Sequence, residues 1–492
     1  MTLVITHSAL FLSDRRLAGV NELFVAEIGA GATAAPIQLS ASLPSGGGVS
    51  SYAWSPDGSK VLYLATQASG GAAELWVASL SAPGAAQRVS ATGVTVSQIG
   101  WLGSGNIAAY ATSTADAYLV DLSGSTPGAS KLAVAGSTIT DIAGLGISSF
   151  LPSPNGTSIT FPYYVPMVGG TYAYAYVTWA MGSPKAAIFS TGVSSFTGYS
   201  HDGRFVAISR FNIGSWWDLS LASPMLNDLG PDFSGSWSPD SDSLLYYGDW
   251  ASSSDPAKLK LGKFSGGTLT STLLVPSSAC SWMGAQPWSP DGKNGLFECG
   301  GDLRGISNVA TAAVSTDFSL LPSGFLSNTF TDITDVGWSP DSAWIGIRAD
   351  RDVDVQYDLQ LIRWSAPGVA YKPHANSTAS GVTTWSFAPN SQSIAFVGTI
   401  APQSNAGLYL TKLPTSGAPP TATLVSEPAS SVVQTDINWL PGSRLLTYRA
   451  TVSGAAQLFA LPVAADGTPG SVVSISGLSG SGVSSYQLAP TR

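Results

Sequence analysis

Apolar and polar positions alternate in short runs along this 492-residue chain, and no run keeps an i, i+3, i+4, i+7 spacing free of Gly and Pro. The runs come in sets. An apolar stretch ending in an aromatic residue meets a turn, and a second apolar stretch follows, as in Lys60-Val61-Leu62-Tyr63-Leu64, Arg204-Phe205-Val206-Ala207-Ile208 and Ser393-Ile394-Ala395-Phe396-Val397. A polar loop of variable length leads to a third run with period-2 alternation. Examples are Glu22-Leu23-Phe24-Val25, Glu74-Leu75-Trp76-Val77, Asn308-Val309-Ala310 and Leu359-Gln360-Leu361-Ile362. A more polar fourth segment, such as Gln87-Arg88-Val89-Ser90, closes each set. The pattern predicts four short antiparallel strands per unit, repeated along the chain.

The turn between the first two strands is the most regular element. Clear copies are Trp54-Ser55-Pro56-Asp57-Gly58, Trp237-Ser238-Pro239-Asp240-Ser241, Trp288-Ser289-Pro290-Asp291-Gly292 and Trp338-Ser339-Pro340-Asp341-Ser342. Weaker ones follow Trp101, Leu151, Tyr199, Phe387, Trp439 and Tyr486, giving ten copies about 48 residues apart. Pro presets φ at the second turn position, Asp or Asn bonds its own backbone, and Gly supplies φ > 0, so the hairpin register is fixed. The Trp before the turn is expected to pack between neighbouring units.

Stacked four-stranded antiparallel units are the blades of a β-propeller. Near the C-terminus Val483-Ser484-Ser485-Tyr486 repeats Val49-Ser50-Ser51-Tyr52 and is followed by Leu488-Ala489-Pro490. At the other end, Ser8–Leu12 and Glu22–Val25 read as second and third strands with no first strand before them. The expectation is a single all-β domain over residues 1–492, a closed propeller of about ten four-stranded blades. Residues 483–490 would complete the blade begun by residues 3–45, leaving no open edge. With sheets about 10 Å apart and strands about 4.8 Å apart, the inner strands would stand roughly 9 Å from the axis, around a central channel, open or plugged.

On these residues the chain resembles the WD40-like repeats of the TolB-type propeller family, over essentially its whole length. The resemblance implies a propeller, usually of six to eight blades and with an additional N-terminal domain in that family. Ten turn copies and no such domain are departures from it.

Charged residues are only 10% of the chain against 44% apolar, the net charge is −9, and the 21 Lys and Arg are scattered. A nucleic-acid partner is therefore not expected. No run of 18 apolar residues would span a membrane, and the N-terminus lacks the basic and apolar regions of a signal peptide. Low charge with abundant Ser, Thr and Gly favours a periplasmic or extracellular protein. Cys280 and Cys299 flank the turn at Ser289 almost symmetrically, so opposed positions in a hairpin would bring them near disulfide reach. Two buried free thiols are the alternative.

Candidate chemistry is sparse. No Gly-x-Ser-x-Gly elbow and no room for a hydrolase domain are found, and no catalytic residue is assigned. His7, His201 and His374 lie in different repeats and read as exposed or turn residues rather than metal ligands. Asp350-Arg351-Asp352-Val353-Asp354 sits in the loop after a second strand, the position also taken by Asp14-Arg15-Arg16, Asp249-Trp250 and Asp302-Leu303-Arg304. Equivalent loops share one face of a propeller, and mixed acidic, Arg and Trp residues on that rim suit recognition of a protein or glycan. No cofactor is expected. The Asp350-x-Asp352-x-Asp354 spacing admits Ca²⁺, although the Gly and distal Glu of a calcium loop are absent. Asn155-Gly156-Thr157 and Asn376-Ser377-Thr378 fit glycosylation acceptors and decide nothing. The sequence thus favours a non-catalytic binding or scaffolding propeller at or outside the cell envelope. Its rivals are a glycan-active lyase or hydrolase and a structural subunit of a larger assembly.

Overall fold

The structure, a computed structural model, describes residues 7–28, 35–67, 69–103, 105–114, 116–124, 127–131, 151–166, 172–180, 187–188, 193–210, 213–220, 227–231, 234–248, 258–265, 268–275, 280–281, 287–299, 302–309, 317–325, 333–350, 352–375, 377–426, 431–440, 444–477 and 482–490. Among them no α-helix occurs, and no helix is long and apolar enough to cross a membrane. The described strands form ten antiparallel sheets, nine of four strands and one of five. Two compact units divide the chain: Ser8–Glu27, Ala35–Phe233 and Ser479–Arg492 form one, and Met1–His7, Ile28–Ala34 and Ser234–Leu478 form the other.

In the first unit the opening sheet takes three strands from the N-terminus, His7–Ser13, Glu22–Ile28 and Ile37–Gln38, and its fourth, Val483–Leu488, from the C-terminus. Ala9 stands opposite Leu488 and Phe11 opposite Tyr486. Sheets two to five follow in chain order and begin at Gly48–Trp54, Val96–Leu102, Leu151–Pro152 and Val193–Tyr199. In the second unit sheets six to ten begin at Ser234–Trp237, Cys280–Ser281, Ile333–Trp338, Ser377–Phe387 and Val432–Val433.

The seventh sheet corrects one expectation. Its third strand is Asp302–Ile306, not Asn308–Ala310. Cys299 pairs with Asp302, so only two residues of chain, both Gly in the sequence, separate the strands, and two-residue hairpins favour Gly-Gly. Asp302 and Arg304 therefore lie in a strand rather than a loop. Cys280 pairs with Cys299 in the same sheet, and Cys299 is disulfide-bonded; Cys280 is the chain's other cysteine.

The recurrent turn depends on its serine as much as on Pro and Asp. Ser339 Oγ donates to Asp341 Oδ1 at 2.6 Å and accepts the Trp344 N–H at 2.8 Å, while Asp341 Oδ1 accepts the Ala343 N–H at 3.1 Å. Ser55, Ser200 and Ser289 repeat the bond to Asp57, Asp202 and Asp291, each at 2.6 Å. Gly58 and Gly292 take φ of +64° and +71°, as the turn requires. Ser342 (φ +62°) and Ser391 (φ +58°) stand at the same position without glycine's freedom. Their hydroxyls accept N–H groups of the preceding sheet's turn, from Asp291 at 3.2 Å and Asp341 at 2.9 Å.

The cores lie between consecutive sheets. Leu62, Leu64 and Val77 of the second sheet pack with Trp101, Tyr110 and Val120 of the third. Leu296 and Leu303 of the seventh pack with Trp338, Ile345 and Ile347 of the eighth. The turn tryptophans bond across the same gaps. Trp101, Trp288 and Trp439 donate their indole N–H to the carbonyls of Ala53, Ser236 and Ser386, and Trp54 to that of Gln487.

Replacing Ser339 by Ala leaves the buried Trp344 N–H without its side-chain acceptor and Asp341 without a donor. The expected cost is about 1–3 kcal/mol in denaturant unfolding. A loss below about 0.3 kcal/mol would show that the Pro-Asp turn holds its register without the serine.

Candidate functional site

Asp249, Trp250, Arg351 and Asn376 lie outside the described residues. The other rim residues are mostly committed to partners within their own sheet. In the first sheet Arg16 pairs with buried Glu22 at 2.8 Å and bonds the Leu43 carbonyl. Arg15 places its guanidinium 5.4 Å from the Phe24 ring centre, and Asp14 accepts the Gly19 N–H at 3.0 Å. In the seventh, Arg304 bridges Asp302 at 3.2 Å and Asp317. The eighth sheet differs, because there the predicted Asp350 to Asp354 segment joins residues that the sequence reading did not connect.

The difference starts from a latch that recurs at the loop end of the sheets. The first leucine of a third strand donates its N–H to a serine hydroxyl: Leu23 to Ser40 (3.1 Å), Leu75 to Ser90 (3.0 Å), Leu408 to Ser426 (3.3 Å) and Leu458 to Ser476 (3.2 Å). In the eighth sheet Leu359 donates instead to His374 Nε2 at 3.1 Å. That bond makes Nε2 an acceptor, so the neutral ring carries its proton on Nδ1, which lies 2.6 Å from the Ala375 carbonyl. His374 is buried, contrary to its reading as an exposed or turn residue; the histidine fills the place of a core serine. The signal was in the spacing, since a Ser follows the strand leucine by 15 to 18 residues in the other four sheets and His374 follows Leu359 by 15.

Beside the histidine stands Asp358, only 2% exposed. Its carboxylate pairs with Lys372 Nζ at 2.5 Å, accepts the Ser377 hydroxyl and lies 3.9 Å from His374 Nε2. Lys372 also reaches Asp352 at 3.1 Å, which ties the predicted loop to the buried carboxylate. Burial opposes the charge on Lys372, but its hydrogen bonds to Asp358 and Asp352 outweigh that and raise its pKa. For His374 burial prevails and the pKa falls below 6.5, despite the Ala375 carbonyl and Asp358. Glu22 and Glu74 occupy the position of Asp358 in the first two sheets, where they accept the N–H groups of Leu43 and Gly93.

The loop itself is clamped and strained. Asp350, buried, accepts the Val355 N–H at 3.1 Å, Gln356 donates to the Ser377 carbonyl at 2.6 Å, and Tyr357 bridges Gly381. Val355 adopts φ +62°, a left-handed conformation that β-branched residues rarely take. Val353 and Val355 are 53% and 64% exposed, with Asp354 also exposed between them. Asp350 and Asp352 are thus turned to different partners. Among the described residues no three His, Cys, Asp or Glu side chains converge as metal ligands would.

No protein-family model and no curated protein matches the chain. Among solved structures it is similar to a TolB structure from Agrobacterium tumefaciens, at 16% identity over 49% of this chain and 85% of that one, with a TM-score of 0.29. It is also similar to dipeptidyl peptidase 4 of Porphyromonas gingivalis, at 12% identity over 76% of this chain and 52% of that one, with a TM-score of 0.41. Superpositions this loose give no residue correspondence from which a site could be transferred.

Because folding depresses the His374 pKa, the unfolded chain binds more protons near and below pH 6.5, and this group's contribution to stability is lost as pH falls from there towards the folded value. His374→Ser restores the latch residue of the other sheets and removes that titration. Urea unfolding at pH 7.5 and pH 5.5 should therefore show a smaller loss of stability on acidification for His374→Ser than for the wild type. Equal losses would mean that His374 does not govern acid sensitivity.

Proposed function

We propose that the ten sheets are blades of one closed β-propeller, and that it acts as a non-catalytic binding or scaffolding protein at or outside the cell envelope. The ring reading is supported by the terminal strand that completes the first sheet and by the tryptophan bonds from one sheet to the next. The oxidised Cys299 and the low charge support an oxidising compartment.

The observation that carries the function is the 350–357 loop. A valine held at positive φ costs roughly 1–2 kcal/mol relative to an extended conformation. The Asp350 carboxylate, Gln356 and the Lys372 bridge hold the loop in that shape. Strain maintained by surrounding bonds marks a functional segment, and here it presents two valines flanking an aspartate to solvent. An apolar tip with an acidic residue suits a protein partner carrying a small apolar pocket edged by basic groups. The buried carboxylate, lysine and histidine are bonded to one another and support the loop rather than face solvent as a catalytic set would.

Val355→Gly is expected to stabilise the protein by about 1 kcal/mol, because glycine adopts positive φ freely. Combined with Val353→Ser, it should reduce capture of envelope proteins several-fold in a pull-down run beside the wild type. Unchanged capture would remove the loop from the interaction. A carbohydrate or peptide turnover activity abolished by Asp352→Ala would replace the binding reading with an enzymatic one.

A further inference from the structure

A second unusual feature of the eighth sheet lies along its first strand, from Asp335 to the turn. A cleft of about 420 Å³ opens there between the seventh, eighth and ninth sheets. Its lining includes Pro290 and Pro340 from two turns, the aromatic residues Trp338, Trp385 and Phe387, and Asp335. This volume lies within the range of small-ligand pockets, which are apolar with few, placed polar groups. Two glycines seat the Trp385 ring: a Cβ on Gly337 or Gly346 would come within 2.9 Å or 2.8 Å of it.

The tenth sheet contains the same local sequence and shows what is missing. Thr435-Asp436 there corresponds to Thr334-Asp335, each following the same count before its turn tryptophan, and Arg449 corresponds to Arg348. Arg449 Nε bonds Asp436 Oδ2 at 2.5 Å. Arg348, although paired in register with Asp335, gives its Nε to Thr334 Oγ1 at 3.0 Å and its Nη1 to the Thr383 carbonyl at 2.6 Å, and lies over the Tyr357 ring. Among the described residues Asp335 makes no ion pair; it is half-buried, and burial raises its pKa against the weaker pull of Arg348 and hydrogen bonds from the Val336 N–H and the Trp385 indole. The turn tryptophan Trp338 lacks the cross-sheet indole bond seen in other sheets, and the Trp385 indole N–H is directed at the Asp335 carboxyl.

We propose that this cleft binds a compact organic cation, an alkylammonium headgroup, with Asp335 as its counter-ion and the indoles of Trp338 and Trp385 as its walls. Aromatic faces attract such cations through their quadrupoles, and the attraction grows as water is excluded. A carboxylate that has lost its arginine gains most from a charged ligand. A neutral sugar would meet the rings but leave that charge uncompensated. The headgroup could belong to a free quaternary amine or to a methylated lysine on a protein, since both present the same chemistry.

Calorimetric titration of the intact protein with choline, with its neutral isostere 3,3-dimethylbutan-1-ol and with a trimethyllysine peptide tests the assignment. Choline is expected to bind saturably and at least about tenfold more tightly than the neutral isostere. Asp335→Asn, which keeps the side-chain shape, should weaken choline at least tenfold at an unchanged melting temperature, while Asp436→Asn should leave it unaltered. A trimethyllysine peptide tighter than choline identifies a protein source, and the reverse identifies a free amine. The proposal is overturned by equal affinity for choline and its isostere, by no binding at millimolar choline, by wild-type affinity in Asp335→Asn, or by a response to glucose oligomers alone.

Discussion

Where they are described, the four-stranded sheets bury apolar residues against the next sheet of the same unit. Core residues accordingly collect in the gaps between consecutive sheets, as with Leu62 and Trp101 or Leu303 and Trp338. The same constraint explains the strand borrowed from the C-terminus. His7–Ser13 would otherwise leave an unpaired ladder edge beside buried Leu10 and Leu12; Val483–Leu488 satisfies it, and the Ala489 N–H extends the bonding to the Ser8 carbonyl.

Burial against neighbouring sheets leaves the polar groups at the two ends of each sheet half-enclosed, and short hydroxyl side chains resolve most of them. At the turn end, Ser339 and its counterparts bond both the turn aspartate and the next strand. At the loop end, Ser40, Ser90, Ser426 and Ser476 take the N–H of the strand leucine. Such bonds contribute modestly one by one, but leaving the buried N–H unmet would cost more than the bond gains. The eighth sheet departs from these arrangements twice, with His374 in place of the latch serine and with Asp335 lacking the arginine bond that Asp436 has in the tenth sheet. Departures that carry a cost and share one sheet are more informative than any residue that keeps the period.

The period was legible in the sequence because turn chemistry is local. Pro, Asp and Gly act within four residues, and the apolar runs of Phe205–Ile208 or Ile394–Val397 need only the strand itself. What was not legible depended on residues that meet only after folding. The serine of the turn was visible as a letter, yet its double bond to Asp341 and Trp344 follows from the closed hairpin. His374 read as an exposed or turn residue because its partners, Leu359 and Asp358, lie 15 and 16 residues away on another strand. Asp302 and Arg304 read as loop residues because only two glycines separate them from the preceding strand.

Arg348 connects the two unusual features of the eighth sheet. It gives its Nε to Thr334, whereas Arg449 gives its Nε to Asp436. Its Nη1 and its ring contact reach Thr383 and Tyr357, and Tyr357 closes the strained loop through its bridge to Gly381. Moving the guanidinium to Asp335 would therefore withdraw support from the loop, and keeping it in place leaves a carboxylate facing a cleft between aromatic residues. The structure holds the second arrangement, in which the loop keeps its clamp and Asp335 lines the cleft without an ion pair among the described residues. A cation supplied from outside would satisfy Asp335 without drawing Arg348 away, so a ligand in the cleft and a rigid loop are compatible demands on one strand pair.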